Sequence, residues 1–311
     1  MSSSQCSSQQ PVFLGLDADQ PSWQQARAVV LPVPYERTTS YGAGTADGPR
    51  ALLEASAYVE LYDEELRSEP YRHGFFTAEP CLAEAPELEA AIAEIEAAAA
   101  HHLDAGKFLV TLGGEHGLTT GPARAALRLA ERHVDPDGDA SPLGVVQFDA
   151  HADLRESYEG SRYSHASVMH RLVDDLSLPS LAVGLRSLSA PEAALIDERK
   201  LAVIWSHELH EEALSGSSER FEKLLDGLPE KIYLTFDIDY FDPSLVPSTG
   251  TPEPGGGHWH ETLRLLRTLF NKKHVVAMDV VELAPEAGRP ASDFVAAKLV
   301  YKCLGYRFDG C

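Results

Sequence analysis

Short apolar runs alternate with amphipathic segments along almost the whole chain. The apolar runs have the length and composition of buried parallel strands, and they cover residues 27–33, 107–112, 144–148, 181–185, 201–205, 231–236 and 274–281. Periodicity and helix-start signals predict helices over residues 47–66, 87–104, a segment ending near 132, 164–176, 190–200, 218–225, 261–271 and 291–304. Because strands alternate with helices, we predict an α/β fold with one parallel sheet covered by helices on both faces.

The first residues differ in composition from the rest of the chain. Residues 1–22 are rich in serine and glutamine, and we predict that they form a flexible N-terminal arm. No linker and no break in composition follow this segment. We therefore predict that residues 23–311 form a single catalytic domain.

Composition restricts the partners and the compartment. The net charge of −22 argues against binding to nucleic acid or to an anionic membrane. It would attract a small cationic substrate, although a solvated acidic surface is the more ordinary explanation. Four scattered cysteines, a polar start and the lack of a long apolar stretch indicate no disulfide framework, signal peptide or membrane span. We therefore expect a cytoplasmic protein.

The strongest chemical signal follows the predicted strand over residues 144–148. Asp149, His151 and Asp153 come directly after it at every second position, so a continued pleat would place their side chains on one face. Two ionised carboxylates this close repel each other and lose hydration unless a cation compensates them. The spacing therefore predicts a metal site at the carboxyl end of this strand.

The same arrangement recurs after two further predicted strands. Asp237 and Asp239 follow residues 231–236, and His116 follows residues 107–112 after a glycine pair that permits a sharp turn. Ligands in open α/β sheets bind beyond the carboxyl ends of the strands, so we expect these groups to meet. The carboxylates balance two divalent cations, and the whole set is too large for one tetrahedral zinc ion. Mainly oxygen ligands favour Mn²⁺, with Zn²⁺, Co²⁺ and Fe²⁺ left open.

Two plainer explanations of these residues stay open. Aspartates can follow strands by accident, and a bound metal can serve only to stabilise a fold. The recurrence of the arrangement at three strands favours a reaction centre over both.

The motifs taken together resemble those of the ureohydrolase family, which contains arginase, agmatinase and their relatives. They are GGEH (113–116), FDAHADLR (148–155), SHAS (164–167), TFDIDYFDP (235–243), STGTPEPGG (248–256) and MDVVELAP (278–285). The resemblance extends from about residue 29 to the last predicted helix. It implies a three-layer α/β/α sandwich with a central, mainly parallel sheet, two Mn²⁺ ions per subunit, and assembly into a homotrimer or homohexamer.

The resemblance also implies how the ligands divide between the two ions. Carried over by motif, they form two overlapping sets, one of His116, Asp149, Asp153 and Asp237 and the other of Asp149, His151, Asp237 and Asp239. Two metals that share one water lower its pKa towards neutrality, which would give a hydroxide nucleophile that bridges the metals. Glu115 departs from the pattern, since arginases usually have aspartate there, but that position is not a ligand.

Three further residues match positions that have a role in this family. Glu282 resembles the glutamate that binds the guanidinium group, for which a carboxylate is the natural fork-shaped partner. Thr251 matches a threonine that lines the substrate pocket, although a Gly-Thr-Pro turn also has purely conformational uses. His165 resembles the histidine that carries a proton to the leaving amine, and its ordinary pKa suits that role. The alternatives are an ordinary acid after a strand for Glu282 and a helix cap or merely exposed residue for His165.

The substrate depends on a more variable part of the chain. Residues 155–165 read RESYEGSRYSH, whereas arginases have a loop rich in Asn, Ser and Thr there, and Ser187 and Ser189 stand where arginases carry an acid that meets the α-amino group. The segment resembles that of agmatinases. We therefore predict an agmatinase that hydrolyses the guanidinium group of agmatine, a small cation, to putrescine and urea. Glu159, or Glu156 near it, is the candidate partner of the distal ammonium.

Other substrates stay open at this point. Arg155 and Arg162 could pair with a substrate carboxylate, which keeps guanidinobutyrate, formiminoglutamate and arginine as alternatives, and N1-aminopropylagmatine fits an agmatinase-like site. A non-catalytic metal-binding member is a lesser alternative, because the ligands, His165 and Glu282 are all present. Other histidines also have spacings that resemble those of metal ligands, but we interpret them as loop or helix-start residues; they are His207, His210, His258 and His260.

Overall fold

A sheet of eight parallel strands forms the centre of the computed structural model, which describes residues 10–16, 19–132, 143–209 and 218–310. The strands are β1 (Ala28–Val33), β2 (Phe75–Thr77), β3 (Phe108–Gly113), β4 (Gly144–Phe148), β5 (Ser180–Leu185), β6 (Ala202–Trp205), β7 (Lys231–Asp237) and β8 (His274–Val281). Their order across the sheet is β2-β1-β3-β8-β7-β4-β5-β6, and every neighbouring pair runs parallel. The carboxyl ends of these strands therefore share one edge.

Helices cover both faces of the sheet. The core of one face includes side chains from the helices Gly48–Ser56, Glu219–Asp226, Trp259–Lys272 and Ala291–Phe308. The core of the other face includes side chains from Leu88–Asp104, Thr120–Glu131, Val168–His170 and Ala190–Arg199. In β3, Phe108 and Val110 face the first core and Leu109 the second, as the two-residue repeat of a strand requires. The predicted three-layer α/β/α architecture with a parallel sheet is confirmed.

One predicted helix is shorter in the structure. The helix expected over residues 47–66 ends at Ser56. Asp63 Oδ1 accepts hydrogen bonds from the backbone N–H groups of Glu65 and Leu66 and folds the following segment into a turn. This local side-chain hydrogen bonding competes with a continued helix.

Two further elements differ from the prediction. The sequence does not predict β2, because its three residues are too few to show a period. The helix expected over residues 164–176 is irregular: it begins as the 3₁₀ turn His165–Ser167 and ends as the π-helical turn Arg171–Asp175. In the described part of the chain, no helix is both long and apolar enough to cross a membrane.

Part of the predicted N-terminal arm packs against the domain. The turn Phe13–Gly15 buries the side chains of Phe13 and Leu14. The N–H of Phe13 donates to Thr77 Oγ1 at 2.9 Å, and the N–H of Leu14 donates to Ser56 Oγ at 2.8 Å. The prediction of a flexible arm is therefore wrong for these residues. Their apolar side chains gain from burial even though the segment around them is polar.

A buried cation joins the loop after Ser56 to the last helix. Lys302 is fully buried, and its Nζ lies 2.9 Å from Asp63 Oδ1 and 2.8 Å from Glu65 Oε2. Because Asp63 is also fully buried, its charge would lack compensation without Lys302 in a region from which water is excluded.

We predict that Lys302→Met lowers the free energy of unfolding by about 3 kcal/mol, because Asp63 would stay buried without its cation. The matched control is Arg132→Met, which breaks an exposed pair with Asp104 and should cost less than about 1 kcal/mol. Guanidinium chloride titrations followed by circular dichroism measure both variants. Equal destabilisation by the two would contradict a structural role for the buried pair.

Candidate metal centre

The carboxyl edge of the sheet brings all six predicted metal ligands together. One comes from the end of β3, three from the segment after β4 and two from the end of β7; they are His116, Asp149, His151, Asp153, Asp237 and Asp239. Five of these residues are buried, and the side chain of His151 is 24% exposed. The ligands meet because β7 lies next to β4 and only β8 separates it from β3.

The first group surrounds the imidazole of His116. Its Nδ1 lies 3.2 Å from Asp149 Oδ2, 3.0 Å from Asp153 Oδ2 and 3.4 Å from Asp237 Oδ2. Despite these distances, Nδ1 has no hydrogen-bond partner within the described residues. Such an arrangement is expected of ligands that converge on a common ion instead of on one another.

The second group shares Asp149 with the first. His151 Nδ1 lies 2.8 Å from Asp239 Oδ2 and 3.8 Å from Asp149 Oδ1. The ligand atoms of Asp149, His151 and Asp239 are close enough together to hold one ion, as are those of His116, Asp149 and Asp237. Asp149 therefore stands between two candidate ion positions.

Tight turns, and not a continued pleat, aim the ligands. β4 ends at Phe148, and Asp149 Oδ1 accepts the N–H of His151 at 2.6 Å. β7 repeats this geometry, since Asp237 Oδ1 accepts the N–H of Asp239 at 2.8 Å. Asp153 has a φ of 51°, which is left-handed backbone. The expectation of an extended strand through Asp153 is wrong, although its side chain reaches the same cluster.

The acidic groups disturb one another strongly. Burial raises the pKa of Asp149 to about 7, and the nearby carboxylates of Asp153 and Asp239 add to this effect. Burial also raises the pKa of Asp237, with Asp239 and Asp149 contributing. The carboxylates around His116 raise the pKa of its imidazole in spite of burial. Without metal, these shifts favour the protonated forms of Asp149, Asp237 and His116, whereas metal binding needs ionised carboxylates and a neutral imidazole.

The donor set fits two divalent cations. Four carboxylates supply four negative charges, two imidazoles supply nitrogen, and Asp149 belongs to both candidate positions. Oxygen-rich sets with some imidazole suit Mn²⁺ among the common divalent ions. The clustered charge and the hydrogen-bonding capacity left open at His116 Nδ1 are both accounted for by this occupancy.

A second layer of polar groups holds His116 from behind. Its Nε2 lies 2.8 Å from Thr235 Oγ1, and the Thr235 hydroxyl donates to Asp279 Oδ1 at 2.7 Å. Tyr233 and Thr119 donate to the other oxygen of Asp279. These bonds direct Nδ1 of His116 at the cluster, as partners behind metal ligands commonly do. Sequence reasoning missed Asp279, although its place on β8, three residues before Glu282, was visible.

An open cleft of about 310 Å³ leads to the cluster. Four of the predicted ligands line it, and so do Glu282, Thr251 and His165. Glu282 Oε1 accepts the N–H of His116 at 2.6 Å, and burial raises the pKa of Glu282. Thr251 Oγ1 lies 3.5 Å from Asp239 Oδ2. The residues assigned by resemblance to substrate and proton transfer therefore share one cavity with the candidate metal ligands.

The structure does not bring Glu159 to this cleft. Glu159 is exposed in a turn closed by hydrogen bonds between Tyr158 and Ser161, and it has a φ of 48°. Glu156 lines a different depression on the surface. The assignment of Glu159 to the distal ammonium finds no support in this geometry, because Glu159 is not among the residues that line the cleft.

A different carboxylate lines the cleft. Glu192 is buried and accepts hydrogen bonds from Ser189 Oγ at 2.6 Å and from the N–H groups of Ser189 and Leu154. Ser189 and Glu192 form the capping box of the helix Ala190–Arg199. The spacing S-x-x-E is the sequence signal that could have found this residue.

The other histidines behave as expected from the sequence. His258 precedes the helix Trp259–Lys272 and forms a capping box with Glu261, and His260 is exposed in its first turn. His207 lies in the helical stretch 206–209. The prediction for His210 falls outside the described residues.

Comparison with known proteins agrees with this geometry. The sequence profile of the arginase family matches residues 26–305. The chain belongs to the arginase family. The family resemblance inferred from the motifs is thereby confirmed, together with its α/β fold.

Relatives with named activities cover nearly the whole chain. N(1)-aminopropylagmatine ureohydrolase of Synechocystis is 42% identical over 92% of this chain and 90% of that protein. Agmatinase of Pyrococcus horikoshii is 30% identical over 91% of this chain and 92% of that protein. The crystal structure of agmatine ureohydrolase of Thermoplasma volcanium has a TM-score of 0.80 and 27% identity, and covers 97% of this chain and 95% of that one.

We predict that binding of Mn²⁺ to this arginase-family protein releases protons below neutral pH. Metal binding requires ionised Asp149, whose pKa lies at about 7 without metal, and a neutral His116, whose pKa is raised. The affinity should therefore rise with pH, by about tenfold or more per pH unit below 7. Calorimetry in buffers of different protonation enthalpy measures both quantities. Affinity independent of pH would contradict the prediction.

A pair of variants tests the metal ligands themselves: Asp149→Asn is the test variant, and Glu159→Gln is its matched control. Asp149→Asn removes the carboxylate common to both candidate positions, so we expect loss of both ions. Glu159→Gln changes an exposed acid outside the cleft and should leave the metal content unchanged. Loss of metal in both variants would indicate a general effect of charge.

Proposed function

We propose that this chain is a manganese-dependent ureohydrolase that releases urea from an agmatine-type substrate, an aliphatic amine that carries a guanidinium group and lacks an α-carboxylate. The observation that carries the proposal is the shared cleft, in which the buried carboxylate of Glu282 lies beside the six-residue cluster. The names of the relatives, which are ureohydrolases of such amines, support the same class of hydrolase.

We assign binding of the guanidinium group to Glu282. Its Oε1 accepts the N–H of His116, whereas its Oε2 faces Gly250, where an added Cβ would lie 3.7 Å from that oxygen. The lack of a side chain at Gly250 leaves room for a planar cation to approach Oε2. A guanidinium here would favour the ionised form of Glu282, whose pKa burial raises.

When bound, two Mn²⁺ ions would supply a water of lowered pKa for attack on the guanidinium carbon and would neutralise the buried carboxylates. Residues of the protein would supply proton transfer and would shape the cleft. His165 lines the cleft and can carry a proton between solvent and the leaving amine. Thr251 also lines the cleft, and because its Oγ1 lies 3.5 Å from Asp239 Oδ2, it limits the space next to that carboxylate.

The arginines near the cleft are already paired, which disfavours substrates with a carboxylate. The guanidinium of Arg155 lies over the ring of Tyr158, 4.6 Å from its centroid, and its Nε is 3.7 Å from Glu192 Oε2. Arg162 pairs with Asp175 at 3.1 Å. Neither charge is uncompensated, so arginine, guanidinobutyrate and formiminoglutamate would lack a ready partner for their carboxylates.

Two amine substrates fit this description. Agmatine is the substrate expected from the sequence, and N1-aminopropylagmatine is its longer derivative. The longer substrate is favoured by the relative with 42% identity, and the cleft of about 310 Å³ extends to Tyr41, which is 85% exposed. We therefore propose N1-aminopropylagmatine as the preferred substrate and agmatine as the second.

Urea release from purified, Mn²⁺-loaded protein tests this proposal. We expect kcat/KM to be highest for N1-aminopropylagmatine, lower for agmatine, and lower by at least about 100-fold for arginine and guanidinobutyrate, which present an unpaired carboxylate to the cleft. Formamide release from formiminoglutamate is measured in parallel. No urea from either amine would overturn the proposal, and faster turnover of a carboxylate substrate would overturn the argument from the paired arginines.

A further inference from the structure

A chain of hydrogen bonds links Glu115 to His165. Glu115 is fully buried, and its Oε2 accepts the N–H groups of Arg37 at 2.6 Å and Thr38 at 2.5 Å. Its Oε1 accepts the hydroxyl of Thr38 at 2.8 Å. Thr38 Oγ1 lies in turn 3.1 Å from the backbone N of His165 and 3.3 Å from its Nδ1. A single hydroxyl thus contacts both the buried acid and the candidate proton carrier.

The direction of these bonds follows from the number of hydrogens available. A threonine hydroxyl has one hydrogen and two lone pairs. Glu115 accepts at both oxygens, from two backbone N–H groups at Oε2 and from the Thr38 hydroxyl at Oε1. The hydrogen of Thr38 therefore goes to Glu115, which leaves two lone pairs that face His165. The backbone N–H of His165 donates to one of them. The other is satisfied only if Nδ1 also carries a hydrogen, which leaves the lone pair of the neutral ring on Nε2.

We propose that Glu115 and Thr38 are positioning residues that keep His165 in the Nδ1-protonated form, so that Nε2 is the atom that takes up and releases the proton in the cleft. This inference rests on the proposed function, because it assigns proton transfer to His165. Neither residue lines the cleft. Both act through the imidazole.

Packing around the ring supports a fixed orientation. An added Cβ at Gly117 would lie 3.3 Å from both Glu115 Oε1 and the N of His165, so only glycine allows this approach without displacement. The rings of Tyr158 and His165 meet nearly at right angles, with centroids 5.6 Å apart. Arg155 lies over the ring of Tyr158. The imidazole of His165 is therefore fixed by Thr38 and by Tyr158, and the ring of Tyr158 is in turn covered by Arg155.

Kinetics of Thr38 variants, with and without His165, test the inference. We expect Thr38→Val to lower kcat by about tenfold, part of the 10²–10⁴-fold that a positioned general acid contributes, with KM changed by less than about twofold. In the His165→Ala background, the same substitution should change kcat by less than about twofold, because the group on which Thr38 acts is absent. Thr38→Ser keeps the hydroxyl and should restore the rate.

Two further variants sharpen the comparison. Glu115→Gln places an amide N–H opposite Thr38, which reverses the direction of the hydroxyl bond, and should lower kcat by a factor similar to that of Thr38→Val. Thr268→Val, on the helix Trp259–Lys272, is the matched control and should leave kcat unchanged. Manganese content is measured for every variant, so that loss of metal is distinguished from loss of orientation.

The tautomer can be observed without turnover. Long-range ¹H–¹⁵N spectra of protein with ¹⁵N-labelled histidine, loaded with Zn²⁺ in place of paramagnetic manganese, should show the hydrogen of His165 on Nδ1. Thr38→Val should lose this preference, and His165→Asn assigns the signal. This measurement does not depend on enzyme activity. A failure of every guanidinium substrate to release urea would overturn the proposed function, but it would not change the tautomer that the spectra report.

Three results would overturn the inference. One is a hydrogen on Nε2 of His165 in the unmodified protein. Another is an equal loss of kcat from Thr38→Val with and without His165, since this would show a general structural effect. The third is a Thr38→Ser variant as slow as Thr38→Val.

Discussion

The constraint on which this structure depends is the burial of negative charge at one edge of the sheet. Parallel strands place Asp149, Asp153, Asp237 and Asp239 within one cluster, and burial with mutual repulsion raises the pKa values of Asp149 and Asp237. His116 and His151 lie against these carboxylates, and backbone and side-chain donors such as the N–H of Ala150 and Nε2 of Gln147 add hydrogen bonds. Two divalent cations would complete the balance, and the same field would favour a guanidinium cation beside Glu282. The proposed metal binding and the proposed substrate class would therefore both follow from one arrangement of charge.

The turn after β3 connects the parts of the site. Gly114 lies against the backbone of Tyr35, where an added Cβ would be 2.0 Å from the carbonyl oxygen, and its own carbonyl accepts the N–H of Glu282 at 2.8 Å. The next two residues point to different tasks. Glu115 holds Thr38, and His116 faces the metal cluster while its N–H holds Glu282. One short segment thus connects the residues proposed for proton transfer, metal binding and substrate binding.

Much of the fold and the site followed from the sequence because buried strands and their ligands carry local signals. The seven longer strands, their parallel pairing and the convergence of the six ligands were predictable from apolar runs and spacing. The tight turns at Asp149 and Asp237 were not, because a two-residue alternation looks the same in a strand and in such a turn. Glu159 was assigned by charge alone. Glu192 was missed although the spacing S-x-x-E marks it as a helix-capping residue. The link from Glu115 to Thr38 depends on a contact between distant segments, which no local pattern records.

Anomalous diffraction at the manganese absorption edge tests the central claim most directly. Crystals of the Mn²⁺-loaded protein should give two anomalous peaks per subunit, both next to Asp149, with one within ligand distance of His116 and the other of His151. A single peak in this cluster, or peaks only elsewhere on the protein, would contradict the account that the buried carboxylates form a two-metal centre.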